Sequence, residues 1–364
     1  MTPERKFILE HILAPGDVTC TTALVRDIKL TYGDRYAVDF RTNFNAIYEC
    51  NPYITPMPDS EPGIEKIKLC YRHGMTTVER GDHHHFITEF YRNFEKQTGI
   101  HVDCLRSQTD LHLSTQEQTV APVSGRYWLV FAGGKTDFTV KHWRFTWYQD
   151  VVDTLRSYGL RFVQSGATKP DNMHPRMKNV TDLLGWGFVR QLIWQIYHCE
   201  GIICPITCAM HMGSAFNKPV VAIAGGREHW AWEAYTNDGQ FGEAAEPIAV
   251  PHRYLHTIGL LDCCKTRGCW RNKVVPTGKD KLVCHQRAPQ PPGTQALPMC
   301  MHMITPSNVC EAVMSYYEDG TLPPIGLPQW EMEAWYDNNA PHLAPDNINT
   351  CAINRDKVWS GKKL

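Results

Sequence analysis

The sequence predicts an α/β protein made of two doubly wound, Rossmann-like parallel-sheet domains facing each other across a cleft. Three observations carry that prediction. Residues 201–204 form an apolar strand that runs straight into a helix of small residues, and a second apolar strand at 220–224 ends in Gly225-Gly226. That is a βαβ unit, and such units build parallel sheets whose ligands sit at the carboxyl ends of the strands. Alternation of strand and helix appears twice along the chain, with a polar stretch between the two runs. At 364 residues the chain is long for one core and natural for two domains.

The first domain, 1–120, opens with a strand-like run at 7–13 and the turn Ala14-Pro15-Gly16-Asp17. A helix carrying Leu24 and Ile28 follows and stops at Gly33, since glycine leaves a helix at little cost. A strand at 36–40 and an apolar run at 64–71 come next. In the helix over 86–98, Phe86, Phe90 and Phe94 recur at i, i+4 and i+8, one buried stripe, and Gly99 closes it. The polar stretch 114–124, with Pro122, reads as a linker. The second domain, 121–322, continues with a strand at 127–131, a helix over 145–158, a strand at 160–164, a helix over 187–198 and the βαβ unit. Val309, Val313 and Tyr317 mark a late helix. A Cys-rich insert spans 262–301, and the tail 323–364 is expected either to pack back on the first domain or to wrap the surface.

A net charge of −1 gives no global field toward nucleic acid or membrane. No apolar run is long enough to span a bilayer, and the opening residues lack a signal peptide's apolar region, so a cytoplasmic location is expected. Fourteen cysteines in that setting imply reduced thiols or metal ligands more than disulfides. The first strand-to-helix turn carries one glycine, not the Gly-x-Gly-x-x-Gly of dinucleotide binders.

Thr207 and His211 sit at the start of a helix, where unpaired N–H groups and the helix dipole attract anions; this predicts a diphosphate site. Gly225, Gly226 and Glu233 follow the next strand, where the same rule places ligands. Asp17 either caps its helix or acts as a general base. Lys141 is either a solvated lysine or a clamp on a leaving diphosphate. Cys263, Cys264, Cys269, Cys284 and Cys300 are numerous enough to hold Zn or Fe, yet their spacing is irregular and equally suits buried thiols. His83-His84-His85 reads as a polar loop, because consecutive side chains point apart.

Four segments, in order, resemble the ADP-heptose:lipopolysaccharide heptosyltransferases, glycosyltransferase family nine. They are the strand-turn-helix from Ile8 through Pro15-Gly16-Asp17 to Leu24, the loop from Ala132-Gly133-Gly134-Lys135-Thr136 to Lys141-His142-Trp143, the helix start Thr207…His211, and Met303-Ile304-Thr305-Pro306-Ser307-Asn308-Val309. The resemblance implies a GT-B fold and inverting transfer of a heptose or related sugar from a nucleotide-diphosphate donor, an ADP-sugar, to an acceptor hydroxyl. It implies Asp17 as general base and no metal at the reaction centre. Lys141, Lys135, Thr136, Gly133, Gly134, Thr207 and His211 would bind the donor. Relatives with a Cys-ligated iron finger imply structural Zn or Fe at Cys264, Cys269, Cys284 and Cys300. The acceptor is a glycan of the lipopolysaccharide core, with a protein or a modified DNA base as alternatives. Ile206 and Cys208 depart from the family's Asp and Gly, so a GT-B body that instead serves as a nucleic-acid or metal-binding module is the other reading.

Overall fold

The computed structural model describes residues 3–71, 84–278, 282–327 and 329–339. The first sheet contains β1 (Arg5–Glu10), β2 (Tyr36–Arg41) and β3 (Ile64–Lys68), all parallel, in the order β2-β1-β3. Period-two alternation sends Phe7 and Leu9 into a core shared with α1 (Pro15–Tyr32) and α2 (Phe86–Thr98), whereas Ile8 meets only Ala37, Met57 and Ile64 on the other face. This half is therefore a trimmed version of the expected domain, with helices on one face. Pro52, Pro56, Pro58 and Pro62 lie between β2 and β3 and forbid the helix that would cover the second face.

Helix α1 is buried on every side from Val18 to Ile28. Its polar side chains are satisfied locally. Thr19 donates to the Pro15 carbonyl at 2.8 Å, and Arg26 pairs with Asp27, whose carboxylate also accepts from Tyr91 at 2.6 Å. A helix buried all round must bring its own partners, because water cannot reach it.

The second sheet contains β4 (Trp128–Val130), β5 (Phe162–Gly166), β6 (Thr181–Leu184), β7 (Gly201–Pro205), β8 (Val220–Gly225) and β9 (Arg253–His256). They run parallel in the order β9-β8-β7-β4-β5-β6. The chain enters at β4, winds outward to β6, then returns to the other side at β7. The sheet's switch point is thus between β4 and β7. Helices α3 (Phe145–Arg156), α4 (Val189–His198), α5 (Cys208–Ala215) and α6 (Pro306–Glu318) pack on it. Strands β6 and β9 were not foreseen. Both lie at sheet edges, and neither contains a fully buried residue that would leave an apolar signal.

The linker holds one helical turn, Thr115–Thr119, closed by a capping box between Ser114 and Glu117. Glu117 also pairs with Arg190 of α4 at 2.6 Å. The described part of the tail, α7 (Gln329–Asn339), lays Trp335 and Tyr336 against the second sheet's cluster, not on the first domain as one expectation had it. Arg126, just before β4, draws the tail there by donating to the Pro323 and Pro324 carbonyls. No described helix is long and apolar enough to cross a membrane.

Gly201 fixes how β7 meets β4, since a Cβ there would come within 2.6 Å of the Trp128 ring. Gly201→Ala should lower the unfolding free energy by about 1–3 kcal/mol through overpacking, read from the denaturant midpoint.

Candidate functional site

The crevice at the switch point is where an open α/β sheet offers its ligand site. One wall is the loop after β4. A Cβ at Gly133 (φ +148°) would collide with the Met173 carbonyl, and a two-residue antiparallel ladder pairs Gly134–Lys135 with Asn172–Met173. Thr136 donates its hydroxyl to the Asp171 carbonyl at 3.2 Å, so it braces the loop. Lys135 is exposed and acts electrostatically on Cys208, in the first turn of α5. Burial pushes the Cys208 thiol up to about 11, Lys135 opposes that shift, and Asp17 adds to it. The charges of Lys135 and Asp17 therefore both act on the same helix start. Thr207 is the N-cap of α5, its hydroxyl accepting from the Ala209 N–H at 3.4 Å.

His211, one turn further along, is 5% exposed. Its Nδ1 lies 2.9 Å from the Tyr235 hydroxyl and its Nε2 3.5 Å from Glu233. Burial and then the charge of Lys141 hold it down to about 3, so it is neutral at pH 7. The expected phosphate-facing histidine is thus a buried imidazole pinned between α1 and Tyr235.

The facing wall is the start of α1. Gly16 lies so close to α5 that a Cβ would stand 3.0 Å from His211 Cδ2 and 3.3 Å from Cys208 Cα. Asp17 is half-buried, with the Tyr71 hydroxyl donating to Oδ2 at 3.3 Å. Burial raises its carboxyl above the ordinary range, and His11, Lys141 and the Ala14 backbone pull the other way. The Ala14 backbone contact is the one a carboxylate in the first turn makes when it caps its own helix.

Lys141 ends the helical turn Thr136–Lys141 and bonds Glu228 at 2.9 Å. Burial, then Arg227, drive its amine below the usual lysine range, while Glu233 and Asp17 oppose the shift. Burial raises the Glu233 carboxyl in turn. Arg227 and Glu228 were not anticipated, although they follow Gly225-Gly226 directly and the strand-end rule covers them. Arg227 pairs with Glu228, stacks on Phe138 and Trp270 at 5.0 and 5.7 Å, and donates to the Arg271 carbonyl at 2.7 Å. This network positions Lys141.

Gly225 and Gly226 face the Cys-rich insert. A Cβ at Gly225 would meet Met301 Sδ at 2.5 Å, and one at Gly226 would meet Cys264 Sγ at 2.7 Å, so these glycines admit the Cys-rich insert. His83 lies outside the described residues. His84 and His85 are buried rather than in a polar loop. His85 caps α2, accepting from the Ile87 N–H, and stacks on Phe241 at 4.4 Å. His84 bonds Glu89 at 2.7 Å and meets the edge of Trp232.

Cys264, Cys269, Cys284 and Cys300 each lie within electrostatic reach of other cysteines of the insert. Burial pushes the Cys264 thiol up to about 11 and Cys300 up to about 12. Cys264 donates to the Thr257 carbonyl and Cys284 to that of Gln286. Among the described residues no three His, Cys, Asp or Glu side chains are disposed to hold a metal ion.

Because Gly16 sets the contact between the walls, Gly16→Val should part α1 from α5. We expect a loss of about 1–3 kcal/mol in unfolding free energy, with the protein still folded by circular dichroism.

The sequence model for glycosyltransferase family 9 (heptosyltransferase) matches residues 73–247, which include Lys141, Thr207 and His211 and leave Asp17 outside. No curated protein matches the chain in sequence. In fold it is similar to a family 9 glycosyltransferase from Veillonella parvula, at 13% identity and a TM-score of 0.52 over 70% of this chain and 87% of that one. It is also similar to ADP-heptose lps heptosyltransferase II of E. coli, at 13% identity and 0.50 over 87% and 99% of the two chains. The iron-containing dodecameric heptosyltransferase TibC, solved with ADP-D-beta-D-heptose, gives 15% identity and 0.56 over 87% and 77%. The family model, over residues 73–247, makes the chain similar to the heptosyltransferases of glycosyltransferase family 9, and the parallel sheets and switch-point cleft shared with these solved structures give it the GT-B fold.

Proposed function

We propose that the protein transfers a heptose, or a closely related sugar, from an ADP-sugar to an acceptor sugar hydroxyl with inversion at the anomeric carbon. The observation that carries this reading is the close approach of Gly16, next to Asp17 in the first domain, to Cys208 at the start of α5 in the second, a helix start on which the charges of Asp17 and Lys135 both act. Asp17 takes the acceptor proton as the acceptor oxygen attacks the anomeric carbon, and the diphosphate leaves from the opposite face. Lys141 and Lys135, with the start of α5 at Thr207, stabilise the charge that develops on the leaving group; this needs no metal at the reaction centre. Glu228 and Arg227 orient Lys141, and neutral His211 with Tyr235 fixes the α1–α5 contact.

Support for the donor comes from the family model and from the relatives' own ligands. The acid that the family places before its Thr-Gly is Ile206 here, 5% exposed, so the donor's sugar meets an apolar wall at that point.

A structural Zn or Fe ion at Cys264, Cys269, Cys284 and Cys300, whose thiols would have to draw together around it because no three of them are disposed to hold one, is a second part of the proposal. Four soft thiolates suit either ion, and TibC is an iron-containing relative. Burial favours the neutral thiols of these cysteines, so an ion would have to displace their protons. Such an ion would lock the insert behind Gly225-Gly226 and take no part in the reaction. Plasma mass spectrometry of the purified protein should find about one Zn or Fe per chain, lost in Cys269→Ser. A chain free of both metals contradicts the assignment.

The base assignment has its own test. Asp17→Asn should cut ADP release from ADP-heptose by at least a factor of about 10² while ADP affinity stays within about twofold. A variant that turns over like the parent removes Asp17 from the reaction.

A further inference from the structure

Part of the Cys-rich insert, residues 268–274, runs along the loop after β8 and reaches the turn that carries Lys141. The Cys269 N–H donates to the Gly226 carbonyl and the Trp270 N–H to that of Arg227, both at 3.1 Å. A Cβ at Gly268 would collide with the Arg227 carbonyl, so glycine lets the two segments lie this close. Further along, the Val140 N–H donates to the Asn272 carbonyl at 3.2 Å, and the Val274 N–H to the Thr139 hydroxyl at 2.9 Å. The insert thereby ties Arg227 and Glu228 to the Thr136–Lys141 turn.

Trp270 stands in the middle of this tie, in a conformation that is costly for tryptophan. Its φ is +52°; the other described non-glycine residues with positive φ are Cys50, Asn179 and Asn217. Asparagine enters that region readily, whereas a bulky side chain does so only under constraint. The indole Nε1 is also buried without a hydrogen-bond partner, which is a second cost. Strain of this kind persists where the surrounding contacts impose it, and here they can be named. The ring lies 5.7 Å from the Arg227 guanidinium, whose other face meets the Phe138 ring at 5.0 Å. Indole is the strongest aromatic partner for a cation, above all where water is excluded, and Arg227 is 9% exposed. The insert backbone completes the hold. Arg227 Nε donates to the Arg271 carbonyl at 2.7 Å, and Nη2 to Asn272 Oδ1 at 3.1 Å. Nη1 pairs with Glu228, which in turn bonds Lys141 at 2.9 Å. Trp270 also meets Trp232 edge to face at 6.2 Å, and Trp232 lies 6.4 Å from Tyr71, whose hydroxyl donates to Asp17.

We propose that Trp270 is a positioning residue for the donor site: with Phe138 it holds Arg227 between two rings, and Arg227 and Glu228 then hold Lys141 in place for the donor's diphosphate. The inference rests on the reading of Lys141 and the start of α5 as the diphosphate site. It makes the Cys-rich insert a working part of that site, acting through one side chain and the backbone on either side of it.

Titration calorimetry on the full chain with ADP and with adenosine compares the parent, Trp270→Asn and Trp270→Phe. Asparagine fits the left-handed backbone and removes the ring; phenylalanine keeps a ring over Arg227. Trp270→Asn should bind ADP about tenfold more weakly and adenosine within about twofold of the parent, because only the diphosphate meets Lys141. Trp270→Phe should recover ADP binding to within about threefold. Gly268→Ala, which pushes the segment off Arg227 with the indole intact, should weaken ADP with the same selectivity. Unchanged ADP binding by both Trp270→Asn and Gly268→Ala overturns the proposal. So does an equal loss of ADP and adenosine, or a phenylalanine variant as weak as the asparagine one. A parent that binds ADP no better than adenosine defeats the donor site itself, and the proposal with it; the other contrary results defeat the role of Trp270 alone.

Discussion

The cleft depends on one helix lying flat against another. Helix α1 belongs to the first sheet by sequence, yet its amino end packs directly on α5 of the second, with Gly16 as the point of contact. One continuous apolar cluster runs from Phe7 and Phe94 on the first sheet through α1 and α5 to Ile202 and Val220 on the second. Apolar burial on that scale resists separation of the halves, because parting them would return the cluster to water. Polar contacts fix the geometry around it. Thr109 donates to the His211 carbonyl at 2.6 Å, and Arg190 of α4 bonds the carbonyls of Ala46 and His112 while pairing with Glu117. The position of Asp17 relative to the start of α5 is therefore set by packing.

Burial also organises the charges. Lys141, Arg227, Glu228 and Glu233 are gathered where water is scarce, and each is tolerable because opposite signs alternate. Burial lowers the Lys141 amine and raises the Glu233 carboxyl, and the charge of each opposes the shift of the other. His211 plays a different part. Held neutral, it places no cation against α1 and lets Tyr235 link α5 to the loop beyond β8.

Much of the fold was legible because the signals are local. The Phe86-Phe90-Phe94 stripe with Gly99 gave α2 to the residue, and the βαβ unit around Thr207 gave β7, α5 and β8. Edge strands β6 and β9 escaped, as nothing buries them enough to impose a pattern. The Ser114-x-x-Glu117 capping box was present in the sequence and passed over within a polar stretch. In the site, sequence spacing placed Asp17 and Thr207 at strand-to-helix turns, and the family resemblance pointed to Lys141 and suggested all three roles. What spacing does not encode is who faces whom. Gly225-Gly226 looked like a ligand loop and in fact receives Cys264 and Met301; His84 and His85 looked polar and in fact meet Trp232 and Phe241 across the domain contact. Arg227 and Glu228 matter through partners distant in sequence, and such contacts have no periodicity to read.

The central claim is that the start of α5, with the two lysines beside it, is a diphosphate site. Titration calorimetry of the parent protein with ADP and with adenosine asks this most directly, since the two ligands differ only in the diphosphate. The account predicts that ADP binds at least about tenfold more tightly, a difference of about 1.4 kcal/mol or more contributed by the cations and the helix start. Equal affinities, or no binding of ADP, would contradict it.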